Sequence, residues 1–141
     1  MHKSAAWPLA LLYIGLIVYA SLYPFADWRD QGIAPWVFLT APLPRYWTGF
    51  DVAINVVGYA PLGGLLALGA MRSGRTRHAI VVPVLAAAAL AIVMEALQTY
   101  LPARIPSRED WLLDTAGAMG GALGTVVLAK LGAIDRWSQI R

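Results

Sequence analysis

The 141-residue sequence contains no cysteine and only two histidines. Without cysteine the chain has no disulfide, no thiolate nucleophile and no cysteine-ligated metal, and we expect neither a cofactor nor a metal site. Charged residues are also scarce, at 13% of the chain, whereas soluble domains usually contain about a quarter. The net charge of +3 comes from basic residues at the ends of apolar segments, without a basic stripe of interleaved aromatics, which argues against nucleic acid as a partner.

Long apolar stretches make up most of the chain, with 59% hydrophobic residues and a mean hydropathy of +0.60. Four stretches can be drawn, each near the roughly twenty residues that a helix needs to cross a bilayer. They cover about residues 5–25, 51–71, 79–101 and 111–131. We therefore predict an all-α fold, a single integral-membrane four-helix bundle that covers residues 1–141.

Basic residues are divided unevenly between the two sides of these stretches. One side holds Lys3, Arg72, Arg75, Arg77, Lys130, Arg136 and Arg141, and the other holds Arg29, Arg45, Arg104 and Arg108. By the positive-inside rule the first side is cytoplasmic, so we predict that both termini lie inside. The first stretch is longer than the core of a usual signal peptide, and we expect it to be retained.

Acidic residues are concentrated on the outer side or just inside its edge. Seven of the eight lie there, namely Asp27, Asp30, Asp51, Glu95, Glu109, Asp110 and Asp114. Ionisable groups are costly within hydrocarbon, so acids placed inside the ends of membrane spans indicate a functional site. Glu95 lies about 9 Å inside its span at 1.5 Å per residue, and we expect it to face the bundle and meet Arg104 or Arg108, or to carry a proton. A purely structural ion pair is the alternative.

Polar residues near these ends follow helical spacing. Asp51, Asn55 and Tyr59 recur at every fourth residue, and Glu95 and Gln98 are three residues apart, so each set shares one helical face. Asp51 as a helix cap and Asn55 as an interhelical hydrogen bond are the simpler interpretations of the first set. Likewise, part of the polarity at the start of the fourth stretch resembles a capping box.

Small residues in the fourth stretch allow close helix approach. Gly117 and Gly121 form one small-xxx-small step, Gly120 and Gly124 form a second, and Asp114 precedes them on the same stripe. We therefore predict a polar cup at the outer ends of helices 2–4. It consists of Asp51, Asn55, Tyr59, Glu95, Gln98, Arg104, Arg108, Asp110 and Asp114.

Three sequence motifs follow one another through this part of the chain. They are NVVGYAPLG at residues 55–63, EALQ at 95–98 followed by Arg104, and DWLLDTAG at 110–117. In this order they resemble the motifs of the VanZ-like family, N-x-x-x-aromatic-x-P-L-G, E-x-x-Q with a following arginine, and D-x-x-x-N-x-x-G. The resemblance implies a small, multi-pass protein of the bacterial inner (cell) membrane, in a family named for a member associated with resistance to the antibiotic teicoplanin.

Most of the polar positions match the family pattern. The matching residues are Asn55, Tyr59, Glu95, Gln98, Arg104, Asp110 and Gly117. Asp114 departs from the pattern, because the family usually has asparagine there. A carboxylate at this position favours a cation or a basic ligand in the cup over an antibiotic-related role.

Two main functional interpretations use the same cup. In the first, the protein binds an envelope component such as a lipid headgroup, a wall precursor or a glycopeptide-related ligand, and contributes to antibiotic resistance. Arg104 and Arg108 suit phosphate or carboxylate in this case, while Asn55 and Gln98 suit amides and hydroxyls. A membrane lipid or an envelope precursor is then the expected partner. A structural subunit of a larger membrane complex is a third interpretation.

The second interpretation is an intramembrane hydrolase or transferase of a lipid-linked substrate. Glu95 or Asp114 would act as general base, and Arg104 would clamp the substrate. Histidine-based nucleophilic chemistry has little support, because both histidines, His2 and His78, fall on the predicted cytoplasmic side. We therefore favour binding over catalysis, and the sequence predicts no particular oligomeric state.

Overall fold

The computed structural model describes residues 5–42 and 48–132 of the chain. Within this part the fold is all-helical, as predicted, with four α-helices. They are α1 (Ala6–Leu22), α2 (Gly49–Arg72), α3 (Val81–Gln98) and α4 (Arg108–Lys130), and two single 3-10 turns cover Val37–Leu39 and Thr76–His78. The expectations for His2, Lys3, Arg45, Arg136 and Arg141 concern positions outside the described residues.

Three of the four helices are long and apolar enough to cross a membrane, namely α2, α3 and α4. This makes the chain a multi-pass membrane protein. The fourth helix, α1, has 17 residues and extends over about 26 Å, slightly less than a hydrocarbon core of roughly 30 Å. It ends at Leu22 instead of residue 25, because the residue before Pro24 is disfavoured in the helical conformation. That α1 spans the membrane stays a prediction.

Local side-chain caps set the starts of α2 and α4. Thr48 and Asp51 form a reciprocal capping box, and α2 therefore begins at Gly49. The Ser107 hydroxyl accepts a hydrogen bond from the Asp110 N–H, so that α4 begins at Arg108, three residues before the predicted span. The capping role of Asp51 is confirmed. Ser107 caps α4, but it forms only half of the predicted capping box, because its N–H donates to Glu95 instead of Asp110.

Helices α2 and α4 pack with their backbones in contact. A Cβ atom added to Gly121 would lie 1.9 Å from the carbonyl oxygen of Ala60, and one added to Gly117 would lie 2.1 Å from that of Val56. The predicted packing role of this glycine step is confirmed. The packing role predicted for the second step is wrong, since a Cβ atom added to Gly120 or Gly124 would meet nothing within 4 Å. Close approach holds Asp114, one turn before Gly117, against α2.

Hydrogen bonds attach α1 to the other helices at both of its ends. The Trp7 indole N–H donates to the Ser73 hydroxyl at 2.9 Å, and the Gln98 amide donates to the Ser21 carbonyl at 2.8 Å. Between them, the Tyr13 hydroxyl donates to the Gly58 carbonyl. The helix therefore leans on α2 and α3 through few but specific contacts.

The link between α1 and α2 folds over the end of α3. The Arg29 N–H and the Gln31 amide donate to the carbonyls of Tyr100 and Thr99, both at 2.9 Å. Phe38 of this link is buried, whereas Trp36 is 68% exposed. These contacts place the link beside the α3–α4 connection, at the end of the bundle where most of the acidic residues lie.

Candidate functional site

A cavity of about 390 Å³ lies between α1 and the neighbouring ends of α2, α3 and α4. Helices α2 and α4 contribute residues near their starts, α3 contributes residues near its end, and the α3–α4 link contributes Arg104. We call this space the central cavity. Its lining residues are Tyr13, Leu16, Ile17, Ala20, Ser21, Ile54, Asn55, Gly58, Tyr59, Glu95, Gln98, Arg104, Asp110 and Asp114.

Seven of the nine residues predicted for the polar cup line this cavity, and two do not. Asp51 is exposed and its carboxylate accepts a hydrogen bond from the Thr48 N–H at 2.9 Å, so its role here is to cap α2. Arg108 donates to the carbonyl of Leu39 at 3.2 Å and supports the α1–α2 link. That the cup faces outward and binds a ligand stays a prediction.

Glu95 is almost fully buried, with 3% of its surface exposed. Its Oε2 atom accepts a hydrogen bond of 2.8 Å from the backbone N–H of Ser107. This donor takes the place that we expected an arginine to fill. Arg104 lines the same cavity and its charge acts on Glu95, but within the described part of the chain the two side chains form no hydrogen bond. Glu95 thus both faces the cavity and holds the start of α4.

Asn55 joins α2 to the first turn of α4. Its amide donates to the Asp110 carboxylate at 3.2 Å and to the carbonyl of Asp51 at 2.9 Å. Asp110 in turn is fixed by the bond from its N–H to the Ser107 hydroxyl. The interhelical interpretation of Asn55 is therefore confirmed, and the Asp110 carboxylate is held at the cavity wall.

Two buried polar atoms of the cavity wall lack a hydrogen-bond partner among residues 5–42 and 48–132: the Tyr59 hydroxyl and the Asp114 Oδ1 atom. Tyr59 is 5% exposed and Asp114 is 4% exposed. A buried polar group without a partner costs about 1–3 kcal/mol, and more when it is charged. Both atoms belong to residues that line the central cavity.

Helix α1 supplies one wall of the cavity, although the predicted cup included residues of helices 2–4 only. Leu16, Ile17 and Ala20 make this wall largely apolar, and Tyr13 and Ser21 add polar atoms. A signal existed in the sequence, because Tyr13 and Ser21 are eight residues apart and therefore share a helical face with Ile17. The resulting cavity is polar toward α3 and α4 and apolar toward α1.

The charges around the cavity are unbalanced. Glu95, Asp110 and Asp114 supply three carboxyl groups, and Arg104 supplies one guanidinium. In the described ranges, no group of three histidine, cysteine, aspartate or glutamate side chains is arranged to hold a metal ion. His78 lies before the start of α3, whereas the cavity lies at the end of that helix. The arrangement is suited to accept hydrogen bonds from a cationic or donor-rich group.

Comparison with known proteins identifies the chain at the level of its family. The VanZ/LLP1 family profile matches residues 7–129, which include nearly all of the four helices and every residue of the central cavity. No curated protein and no solved structure matches the chain. The resemblance seen in the three motifs is thus confirmed over most of the sequence: the chain belongs to the VanZ/LLP1 family.

Proposed function

We propose that this protein binds an amphiphilic component of the bacterial cell envelope and holds its polar headgroup in the central cavity. The observation that carries the proposal is the pair of unpartnered buried atoms, Tyr59 Oη and Asp114 Oδ1, in the wall of that cavity. Its volume of about 390 Å³ falls within the roughly 300–1,000 Å³ of small-molecule sites.

The chemistry of the cavity wall suits binding better than catalysis. Cysteine is absent from the chain, and the described lining residues include no histidine to activate a serine or water. One oxygen of Glu95 is already engaged by the Ser107 N–H, and the side chains of Asn55 and Gln98 are fixed by other partners. The side chains of Glu95, Asn55 and Gln98 are therefore held in fixed orientations, which suits the recognition of a bound molecule.

A hydrolase or transferase of a lipid-linked substrate is the alternative, and one observation favours it. The unpartnered Asp114 oxygen is free to accept a proton from water, with Arg104 in the same cavity to clamp a phosphate. In this alternative Glu95 is a second candidate base. Turnover of the bound molecule distinguishes the two functions.

The proposed ligand also suggests where the protein works. We place it in the bacterial cell membrane, with the cavity facing the outer side, where lipid headgroups and wall precursors occur. A contribution to antibiotic resistance would follow if the bound component were a wall precursor or a glycopeptide-related molecule. Membership of the VanZ/LLP1 family is consistent with this setting.

The proposal is tested by purifying the full chain from native membranes and identifying retained amphiphiles by native mass spectrometry. We expect the wild type to carry one, and the double variant Tyr59→Phe, Asp114→Asn to lose at least about tenfold in occupancy, because one hydrogen bond disappears and a second loses its charged acceptor. Leu12→Ala, on a 68% exposed position of α1, is the control and should retain the wild-type occupancy.

Equal occupancy in the double variant and the wild type would contradict binding in this cavity. A chemically altered amphiphile that accumulates only with wild-type protein would favour the enzyme alternative. The double variant should fold at least as well as the wild type, since it removes one unpartnered hydroxyl and neutralises one buried carboxyl group.

A further inference from the structure

We propose that the bound headgroup carries a primary amine beside a phosphate, and that its acyl chains leave the central cavity between α1 and α2. The inference rests on the proposed binding function and names its ligand as an aminophospholipid. Two independent features support it: the charges and unpartnered atoms at one end of the cavity, and the opening at the other.

The polar end of the cavity is built to receive a hydrogen-bond donor with positive charge. The unpartnered Asp114 Oδ1 and Tyr59 Oη are both acceptors, and both residues are more than nine-tenths buried. An ammonium group offers three donors and no acceptor, so it can satisfy these two atoms and still meet a third oxygen. The three cavity carboxyl groups outnumber the single guanidinium, and a buried cation would offset that excess.

Arg104 provides the counterpart for the phosphate of the same headgroup. It lines the cavity, and its guanidinium makes no hydrogen bond with any residue that the structure describes, so its fork of N–H donors is available. Guanidinium groups bind phosphate oxygens in a bidentate manner. An amine and a phosphate separated by a short linker would therefore each find an opposite charge in one cavity.

Two apolar residues of the cavity wall, one on α1 and one on α2, are also exposed on the surface of the bundle. Leu16 of α1 and Ile54 of α2 both line the cavity, yet they are 62% and 55% exposed. Between them Gly58 has no side chain, and a Cβ added there would meet nothing within 4 Å. Because α2 is a membrane-spanning helix, this opening meets hydrocarbon, which suits acyl chains.

Lipid preference tests the amine. The purified, delipidated full chain is incubated with detergent-solubilised phosphatidylethanolamine, phosphatidylcholine or phosphatidylglycerol, and the bound lipid is counted by native mass spectrometry. We expect phosphatidylethanolamine to be retained at least about tenfold over the other two, since trimethylation removes every ammonium donor. Asp114→Asn should lose this preference, while Glu109→Gln, which removes a carboxylate of the same helix outside the cavity lining, should keep it.

The other possible outcomes of these binding measurements contradict different parts of the proposal. Equal retention of the three lipids would overturn the amine and leave the proposed binding function standing, whereas retention of none would overturn both. If water-soluble phosphoethanolamine competes as well as the lipid, the acyl-chain part is wrong. If magnesium or calcium stabilises the wild type but not Asp114→Asn, and the amine has no such effect, the site is a cation site.

A variant of the opening tests the path of the acyl chains separately. Gly58→Leu places a side chain in the space between Leu16 and Ile54 and leaves the backbone carbonyl that accepts from Tyr13 in place. We expect bound phosphatidylethanolamine to fall at least about tenfold, whereas phosphoethanolamine alone should bind Gly58→Leu as it binds the wild type. Gly124→Leu, at a glycine that also faces open space, is the matched control. Wild-type lipid binding by Gly58→Leu would overturn the proposed path.

Discussion

Glu95 illustrates how one side chain serves both the fold and the cavity. Its carboxylate, buried near the end of α3, accepts a hydrogen bond from the N–H of Ser107, the residue that caps α4. Ser107 therefore uses its backbone to hold α3 and its hydroxyl to start α4. Leaving a buried donor or acceptor unpaired costs about 1–3 kcal/mol, so this hydrogen bond helps to fix the relative position of these two helices.

Two substitutions at this position separate the structural role of Glu95 from its proposed binding role. Glu95→Gln keeps an oxygen that can accept from Ser107, so we expect nearly wild-type thermal stability in detergent but weaker retention of the envelope ligand. Glu95→Ala removes the acceptor and should lower the unfolding free energy by about 1–3 kcal/mol. Melting curves together with native mass spectrometry give both readouts. A strongly destabilised Glu95→Gln would mean that the negative charge itself holds the fold.

Among the elements, α2 and α4 form the rigid unit to which the cavity residues belong. Gly117 and Gly121 bring the two backbones into contact. Nearer to the starts of both helices, the Asn55 amide donates a hydrogen bond to the Asp110 carboxylate. Tyr59 of α2 and Asp114 of α4 lie in the same wall as a consequence. Any side chain at the glycine contacts would separate the helices and with them the two unpartnered atoms.

Alanine substitutions at neighbouring glycines of α4 should have opposite effects on stability. Gly121→Ala puts a Cβ atom against the Ala60 carbonyl, and overpacking of this kind costs about 1–3 kcal/mol. Gly120→Ala, which meets nothing within 4 Å, should be neutral or stabilise by about 0.5–1 kcal/mol through helix propensity. Thermal unfolding of the two purified variants measures the difference. Equal melting temperatures would show that α2 and α4 do not pack through this face.

At the scale of the whole molecule, the orientation in the membrane stays a prediction from charge. Arg72 ends α2, Arg75 and Arg77 lie in the α2–α3 link, and the cavity lies at the opposite end of the helices. Both chain termini lie outside the described residues, so the balance of basic residues is the argument for placing them in the cytoplasm. The proposed function depends on this orientation, because it exposes the cavity to the outer leaflet.

The lack of native cysteine makes this orientation directly measurable. We expect Ala103→Cys, exposed in the α3–α4 link, to react with a membrane-impermeant maleimide in intact spheroplasts, because it lies at the cavity end of the helices. Thr76→Cys, exposed in the α2–α3 link, should react only after permeabilisation. The cysteine-free wild type provides the unlabelled background. The reverse pattern would turn the cavity toward the cytoplasm and remove the proposed access to outer envelope components.

The sequence by itself determined the four helices of the described residues, their boundaries to within three residues, and the family. Membrane helices are set by local properties, since a long apolar run must satisfy its own backbone hydrogen bonds in lipid. Helix caps are equally local, as Thr48 with Asp51 and Ser107 with Asp110 demonstrate. The same logic explains why seven of the nine predicted polar residues line one cavity: helical spacing fixes which side chains share a face.

The tertiary structure decided which partners the polar groups outside the helix caps have. Glu95 meets a backbone N–H twelve residues away instead of an arginine, and Arg108 supports a distant link. The apolar wall from α1, and the missing partners of Tyr59 and Asp114, likewise depend on contacts between helices far apart in the chain. Helix rotation and approach set such contacts, and these follow from packing at particular glycines, which a pattern of residue types along one helix does not specify.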